Sequence, residues 1–249
     1  MTTILVTGGT GTLGRPLAEK LRAGGHEVRV LSRRSQPYAV DLREGGPGLD
    51  AAVAGADVVV HCATTQRGGD EVSAARLVEA ARRAGVPHLV YISIVGVDRV
   101  PLGYYRSKLA VERLVEESGI GWTVLRTTQF HDLVARILEA SAKLPVMLLP
   151  AGVSDQPIEV TEVADRLAEL ALAPPAGRVD DMGGPAVCTF TELARAYLRA
   201  TGRRRPLLPV RLAGKAYRGM REGGHLAPRQ AVGKGTFEEF LAARPGGQR

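Results

Sequence analysis

The sequence is poor in cysteine, in aromatic residues and in long apolar runs. Its 2 cysteines, Cys62 and Cys188, are too few and too far apart for a disulfide framework or a metal site. Aromatic residues make up only 4% of the chain and are not interleaved with basic residues, as base-stacking surfaces require. No apolar run approaches the roughly 18 residues of a membrane span. We therefore expect no bound metal, no nucleic-acid partner and no membrane partner.

Acidic residues are also in the minority. The chain has 33 Lys and Arg against 26 Asp and Glu, which gives a formal net charge of +7. An excess of positive charge can bind nucleic acid, but it also suits a few contacts with the phosphates of a cofactor. The hydrophobic fraction of 45% is typical of a globular protein. Because Met1-Thr2-Thr3 leads into a strand-like run without a basic leader, we expect a cytoplasmic protein.

Short β-branched runs alternate with helical patterns over the first 126 residues. The predicted strands are residues 3–7, 27–31, 38–40, 57–61, 88–93 and 122–126. The predicted helices are residues 13–23, 49–54, 70–84 and 104–118. This alternation is typical of the α/β class with a doubly wound parallel sheet.

The rhythm changes after Arg126. Helices are predicted over 129–143 and 161–173, from Thr189 onward and over 236–243, with proline-rich pieces between the first of them. We expect residues 1–126 to form the sheet domain, to which later segments can add. Residues 127–249 are expected to form a smaller substrate-binding cap with a basic tail. The sequence does not indicate an oligomeric state.

A glycine-rich stretch joins the first predicted strand to the first predicted helix. Thr7-Gly8-Gly9-Thr10-Gly11-Thr12-Leu13-Gly14 fits both G-x-G-x-x-G and T-G-x-x-G-x-x-G. Glycines allow a tight turn and let a pyrophosphate approach bare backbone at a helix N-terminus. The residues predicted to bind the dinucleotide here are Gly8, Thr10, Gly11, Thr12, Leu13 and Gly14. Residues 1–126 are therefore predicted to be a dinucleotide-binding domain.

The end of the second strand indicates which dinucleotide is bound. An NAD site usually has Asp or Glu there, to bind the ribose 2′-hydroxyl. This chain has Ser32, Arg33 and Arg34 instead, a hydroxyl and two guanidiniums that suit a 2′-phosphate. The prediction is NADP(H) in preference to NAD. Further predicted cofactor contacts are Asp41 and Leu42 near the adenine, and Cys62, Ala63 and Thr64 near the nicotinamide-side ribose.

A tyrosine and a lysine four residues apart share one face of the helix predicted over 104–118. In Tyr104-x-x-x-Lys108 the ammonium is expected to lower the phenol pKa into the range of acid–base catalysis and to bond the nicotinamide ribose. Ser93, which ends the fifth predicted strand, can share the substrate carbonyl oxygen with Tyr104. The predicted catalytic residues are therefore Ser93, Tyr104 and Lys108, with Tyr104 and Lys108 also touching the cofactor.

These motifs together resemble the short-chain dehydrogenase/reductase superfamily, in its atypical, NmrA-like branch with a Rossmann domain. The likeness extends through Leu125–Phe130, Pro157–Val160 and Gly183–Pro185, so it covers nearly the whole chain. It implies that Tyr104 is the general acid, Lys108 the ribose ligand and Ser93 the oxyanion partner. One departure lies after the fourth predicted strand, where residues 61–65 replace the Asn-Asn-Ala-Gly of many members. No catalytic asparagine is identifiable.

The function expected from these features is hydride transfer between NADP(H) and a carbonyl or carbinol of a small substrate such as a quinone, ketone or aldehyde. Gln129, Phe130 and His131 follow the sixth strand at the ligand-binding edge and are predicted to contact the substrate. Two alternatives stay open. One is a dinucleotide-sensing regulator without catalysis, and the other is a non-redox epimerase or dehydratase that keeps its cofactor bound.

Overall fold

The computed structural model describes residues 1–65 and 68–244. Its strands are β1 (Thr3–Thr7), β2 (Glu27–Leu31), β3 (Val58–His61), β4 (His88–Ile94), β5 (Gly121–Thr127), β6 (Met147–Pro150), β7 (Ser154–Asp155), β8 (Gly177–Arg178), β9 (Cys188–Thr189) and β10 (Leu207–Val210). Its α-helices are α1 (Gly14–Ala23), α2 (Pro47–Val53), α3 (Asp70–Arg83), α4 (Gly103–Glu116), α5 (His131–Ser141), α6 (Val160–Leu172), α7 (Phe190–Thr201), α8 (Lys215–Arg221) and α9 (Phe237–Ala243). Across the described segments, we find no helix with both the length and the apolar character of a membrane span.

A six-stranded sheet in the order β2-β1-β3-β4-β5-β8 confirms the predicted α/β fold. β1 pairs in parallel with β2 and β3, β3 with β4, and β5 with β8. Ile4, Leu5 and Val6 of β1 are completely buried, as expected for a strand covered on both faces of a parallel sheet. Since these strands run the same way, the residues that follow β1, β3 and β4 lie along one edge of the sheet.

One predicted strand is wrong. Residues 38–40 form no strand in the described structure, and Ala39 makes only an isolated parallel bridge with Ser32. The sixth place in the sheet is taken by β8, which pairs with β5 through two residues, Gly177 and Arg178. The β-branched pattern around Val40 reflects burial against the core rather than strand pairing, since Val40 packs with Leu49 and Leu42 there.

The chain divides into two compact units. Unit 1 comprises Met1–Ser93, Gly103–Arg126 and Thr161–Asp180, and unit 2 comprises Ile94–Leu102, Thr127–Val160 and Asp181–Arg249. The units cross the predicted boundary at residue 126 in two places, because 94–102 belongs to unit 2 and 161–180 to unit 1. Residues 161–180 belong to unit 1 because they include β8, which extends the sheet of that unit.

Each unit has its own apolar core. In unit 1, Leu5, Val59, Leu89 and Val124 of successive strands share a core cluster with the apolar faces of α2, α3 and α4. In unit 2, α5, α7 and α9 pack around Met147 and Leu149. Helix α7 follows Thr189, as predicted, and begins with a capping box in which the Thr189 hydroxyl accepts the Glu192 N–H while the Glu192 carboxylate accepts the Thr189 N–H.

Candidate active site

The glycine turn after β1 is tightly closed against its neighbours. Gly8 has a φ of +66° and donates its N–H to the Leu31 carbonyl at 2.8 Å. A Cβ on Gly8 would lie 2.8 Å from the Ala63 backbone, and one on Gly14 would overlap the Gly8 carbonyl oxygen. Only glycine fits either position, because any side chain would force the backbone apart.

The tip of this turn leaves backbone accessible, which fits a pyrophosphate. Thr10, Gly11 and Thr12 are exposed, while Leu13 and Gly14 are buried. In the described chain no side chain caps the start of α1. The first N–H groups of a helix favour an anion when no side chain occupies them. The residues present therefore fit the phosphate group that the motif predicts.

The segment after β2 presents the two predicted arginines to solvent. Arg33 and Arg34 are exposed, and neither forms an ion pair within residues 1–65 and 68–244. Ser32 is half-buried, with its Oγ 2.9 Å from the Ser35 Oγ. The donor set thus suits an anionic group at this edge. Asp41 is used locally, because its carboxylate accepts the Arg43 N–H at 2.9 Å, and Leu42 is buried in the core.

The residues after β3 reach the glycine turn. The Ala63 N–H donates to the Thr7 hydroxyl at 3.3 Å, and the Cys62 N–H to the Thr7 carbonyl at 3.2 Å. His61 is a buried strand residue that bonds the Thr7 hydroxyl through Nδ1 at 2.7 Å and stacks on Tyr91. Burial lowers the pKa of His61 to about 3, with Lys108 adding to the effect, so it stays neutral.

Lys108 lies fully buried beneath the candidate tyrosine. Its Nζ donates to the Ile92 carbonyl at 3.3 Å, and lies 4.9 Å from the Tyr91 ring centre and 6.0 Å from that of Tyr104. Burial lowers the pKa of Lys108 to about 8, although the charges of Asp70, Cys62 and Glu112 oppose this. Lys108 therefore holds its proton at neutral pH with little margin.

Tyr104 is half-buried and keeps its proton more firmly than the sequence predicts. Burial raises the pKa of its phenol, Asp70 acts in the same direction, and a hydrogen bond with Thr64 opposes them. The prediction that Lys108 lowers this pKa into working range is wrong for this structure. The physical reason is that desolvation of the phenolate outweighs an ammonium whose nitrogen lies closer to the Tyr91 ring.

Ser93 supplies an unusual buried hydroxyl. Its side chain is 1% exposed, and its Oγ has no hydrogen-bond partner among the described residues. Leaving a buried polar group without a partner costs about 1–3 kcal/mol, so such groups call for an explanation. A hydroxyl at the end of β4 that awaits a ligand oxygen is one explanation, and it agrees with the predicted role of Ser93.

Sequence reasoning missed two acidic residues that surround the Tyr–Lys pair. The Asp70 carboxylate accepts the Thr64 hydroxyl at 2.5 Å, and the Thr64 Oγ1 lies 3.0 Å from the Tyr104 hydroxyl. Glu112, one helical turn after Lys108 on α4, forms a buried bidentate ion pair with Arg126 at 2.6 and 2.8 Å. The i, i+4 spacing could have found Glu112, whereas no local pattern connects Asp70 with Tyr104.

The predicted substrate residues all belong to unit 2. Gln129 and Phe130 are half-buried, and the Gln129 carbonyl accepts the Ile158 N–H at 2.9 Å. His131 is 1% exposed, bonds the Gly235 carbonyl through Nε2 at 3.1 Å and packs against two phenylalanines of α9. Their role in substrate binding stays a prediction.

Comparisons with known proteins agree with this geometry. A family model described as NAD(P)H-binding matches residues 8–174, which is more than half of the chain. An uncharacterized protein of Mycobacterium tuberculosis is 30% identical over 224 residues; the match covers 83% of this chain but 24% of that protein. The chain therefore spans about a quarter of that relative's length.

Two further relatives carry descriptions of an activity. A (4-alkanoyl-5-oxo-2,5-dihydrofuran-3-yl)methyl phosphate reductase of Streptomyces griseus is 29% identical over 215 residues, covering 80% of this chain and 74% of that enzyme. The crystal structure of the NADPH-dependent quinone oxidoreductase QOR2 of Escherichia coli in complex with NADPH has a TM-score of 0.80 at 20% identity. It covers 96% of this chain and 98% of that one. The structural likeness confirms the Rossmann-type fold, and the extent of the family match shows that the chain belongs to the NAD(P)H-binding family.

Proposed function

We propose that the protein is an NADPH-dependent oxidoreductase that acts on a carbonyl or carbinol carbon of a small organic substrate such as a quinone, ketone or aldehyde. When bound, the coenzyme supplies the hydride. Membership of the NAD(P)H-binding family supports this, as do relatives described as a reductase and a quinone oxidoreductase.

One observation carries the proposal. The glycine turn, the Ser93 hydroxyl and the Cys62–Thr64 segment all follow or end parallel strands at one edge of the same sheet, and Tyr104 is hydrogen-bonded to Thr64 there. Ligands of open α/β sheets bind at the carboxyl ends of the strands. An acid, a buried cation and an unpartnered hydroxyl thus share the edge that carries the phosphate-binding turn.

The chain's own groups have distinct tasks at this edge. Gly8, Gly11 and Gly14 let the pyrophosphate meet backbone N–H groups, and Ser32, Arg33 and Arg34 select the 2′-phosphate. Lys108 orients the nicotinamide-side ribose. The Ser93 Oγ donates a hydrogen bond to the substrate oxygen, and Tyr104, whose pKa is raised by burial, delivers its proton to that oxygen. Gln129 and Phe130 remain candidates for contacts with the rest of the substrate.

The test removes one oxygen atom. Tyr104→Phe is expected to lower kcat at least a hundredfold for NADPH-dependent reduction across a panel of quinones, ketones and aldehydes, with the Kd for NADPH nearly unchanged. Tyr105→Phe is the matched control, because it removes the same atom from the neighbouring tyrosine, which is buried, and its turnover should persist. Undiminished reduction by Tyr104→Phe would contradict the proposal. Inactivity of the unaltered protein across the panel would favour the dinucleotide-sensing alternative.

A further inference from the structure

Two side chains, Thr64 and Asp70, extend the hydrogen bonding of the Tyr104 hydroxyl. The Tyr104 hydroxyl lies 3.0 Å from the Thr64 Oγ1, and Thr64 donates to the Asp70 carboxylate at 2.5 Å. While the phenol is protonated, the Thr64 oxygen can accept its hydrogen because the one hydroxyl hydrogen of Thr64 goes to Asp70; once the phenol ionises, the Thr64 hydrogen can turn to it, which agrees with the lowering of the Tyr104 pKa by this hydrogen bond. The three groups therefore form a directed chain from phenol to hydroxyl to carboxylate.

The acceptor at the end of this chain is fixed in place. Asp70 begins α3 and is 4% exposed, and its second carboxylate oxygen accepts the Thr65 N–H at 2.9 Å. Thr64, in contrast, is exposed. The exposed Thr64 hydroxyl, held by this buried carboxylate, connects the phenol to solvent.

We propose that Thr64 and Asp70 are positioning residues that hold the Tyr104 hydroxyl and return its proton after each turnover, which rests on the function proposed above. In reduction, the Tyr104 O–H bond breaks as its proton joins the substrate oxygen. The phenolate then takes the hydroxyl proton of Thr64, and Thr64, which is exposed, regains one from hydronium in solvent while the Asp70 carboxylate holds its hydroxyl in place. One proton therefore enters for each carbonyl reduced.

The charge of Asp70 acts in support of this arrangement. It favours the protonated forms of both Tyr104 and Lys108, whose pKa values it raises. A carboxylate in this position therefore favours a protonated Tyr104 phenol and a cationic Lys108 between turnovers. Thr64 lies in residues 61–65, the segment that differs from the Asn-Asn-Ala-Gly of the resembled family.

The experiment compares two substitutions at one exposed position. Thr64→Val keeps the shape but removes the hydroxyl, and it should lower kcat about tenfold at saturating NADPH. Thr64→Ser restores the hydroxyl and should return kcat to within about threefold of the unaltered protein. Asp70→Asn should match Thr64→Val, because a neutral amide holds the Thr64 hydroxyl less firmly than the carboxylate does. Glu79→Gln, which neutralises an exposed acid on the same helix, is the control.

A second readout needs neither coenzyme nor substrate. In protein labelled with ¹³Cζ-tyrosine, the Tyr104 resonance is identified by its absence in Tyr104→Phe. It should shift in Thr64→Val and Asp70→Asn and return toward its original position in Thr64→Ser. An unshifted resonance in Thr64→Val, or full turnover in Thr64→Val or Asp70→Asn, would overturn the relay. If Tyr104→Phe itself keeps full turnover, the proposed function fails instead, so the two failures are distinguishable.

Discussion

The two compact units differ in the hydrogen-bond partners of their polar side chains. In unit 2 these side chains bond backbone carbonyls far along the chain, as Gln156 does with Gly184 and Ala227, and His225 with Ser154. In unit 1, Thr64 joins the Tyr104 hydroxyl to the buried Asp70 carboxylate, and the buried Ser93 hydroxyl bonds no described residue. The unit 2 contacts hold distant loops together, whereas those of unit 1 surround the candidate catalytic tyrosine.

The strongest test of this contrast removes Gln156. Its side chain is completely buried, donates to the Gly184 and Ala227 carbonyls and accepts the Ala227 N–H. Gln156→Leu should lower the free energy of unfolding by about 4 kcal/mol, because several buried backbone groups lose their partner. Urea denaturation measures this. Gln230→Leu, at a half-buried glutamine of the same unit, should cost less than about 1 kcal/mol. An equal loss of unfolding free energy in the two variants would contradict this contrast.

In the glycine turn, by contrast, a substitution should weaken NADPH binding more than it lowers the free energy of unfolding. Gly14→Ala places a Cβ against the Gly8 carbonyl and within 2.7 Å of the Gly9 Cα, so the turn must open. We expect the Kd for NADPH to rise about a hundredfold, or about 2.7 kcal/mol. Titration of NADPH fluorescence measures it. Gly219→Ala, whose Cβ would meet nothing closer than 3.5 Å, is the control and should bind normally.

The paired arginines should affect which coenzyme is bound. Arg33→Ala with Arg34→Ala should raise the Kd for NADPH about tenfold, since a hydrogen bond to a charged group contributes about 1.5–3 kcal/mol, reduced here by exposure to solvent. The Kd for NADH should hardly change, because NADH lacks the 2′-phosphate. Arg82→Ala removes an exposed arginine from the end of α3 and should alter neither value. An equal loss for both coenzymes would refute the 2′-phosphate assignment.

The smallest expected effect concerns His61. Its folded pKa of about 3 lies below the ordinary value of 6.5, so only the unfolded chain takes up the proton between these values. Stability should therefore fall as the pH decreases below 6.5, by at most about 1.4 kcal/mol per pH unit. His61→Asn should flatten this slope between pH 6.5 and 5. His88 and His225, whose pKa values are also lowered by burial, should still contribute. An unchanged slope would mean that His61 is protonated in the folded protein.

Sequence patterns predicted the sheet and its glycine turn because their causes are local. The apolar run of β1, the glycines after it and the amphipathic pattern of α3 lie within short stretches. The error at residues 38–40 arose because a buried valine looks the same in a loop and in a strand. β8 was missed because two residues carry no periodicity.

Prediction of the candidate site was limited in a similar way. Tyr104 and Lys108 could be paired because four residues separate them on one helix. Thr64, Asp70 and Tyr104 come from two segments that meet only in the folded chain, and the hydrogen bond between Thr64 and Tyr104 spans 40 positions. The pKa of Tyr104 was mispredicted for the same reason, because a charge partner can be read from spacing whereas desolvation depends on everything that packs around the group.

Cys62 has a consequence for how the protein withstands oxidants. It lies between the buried lysine and the glycine turn, yet burial raises the pKa of its thiol to about 12, with Lys108 only partly opposing this. Peroxides and alkylating agents attack the thiolate, which is scarce at such a value. The Cys62 thiol should therefore react slowly with iodoacetamide, and any turnover should outlast the treatment.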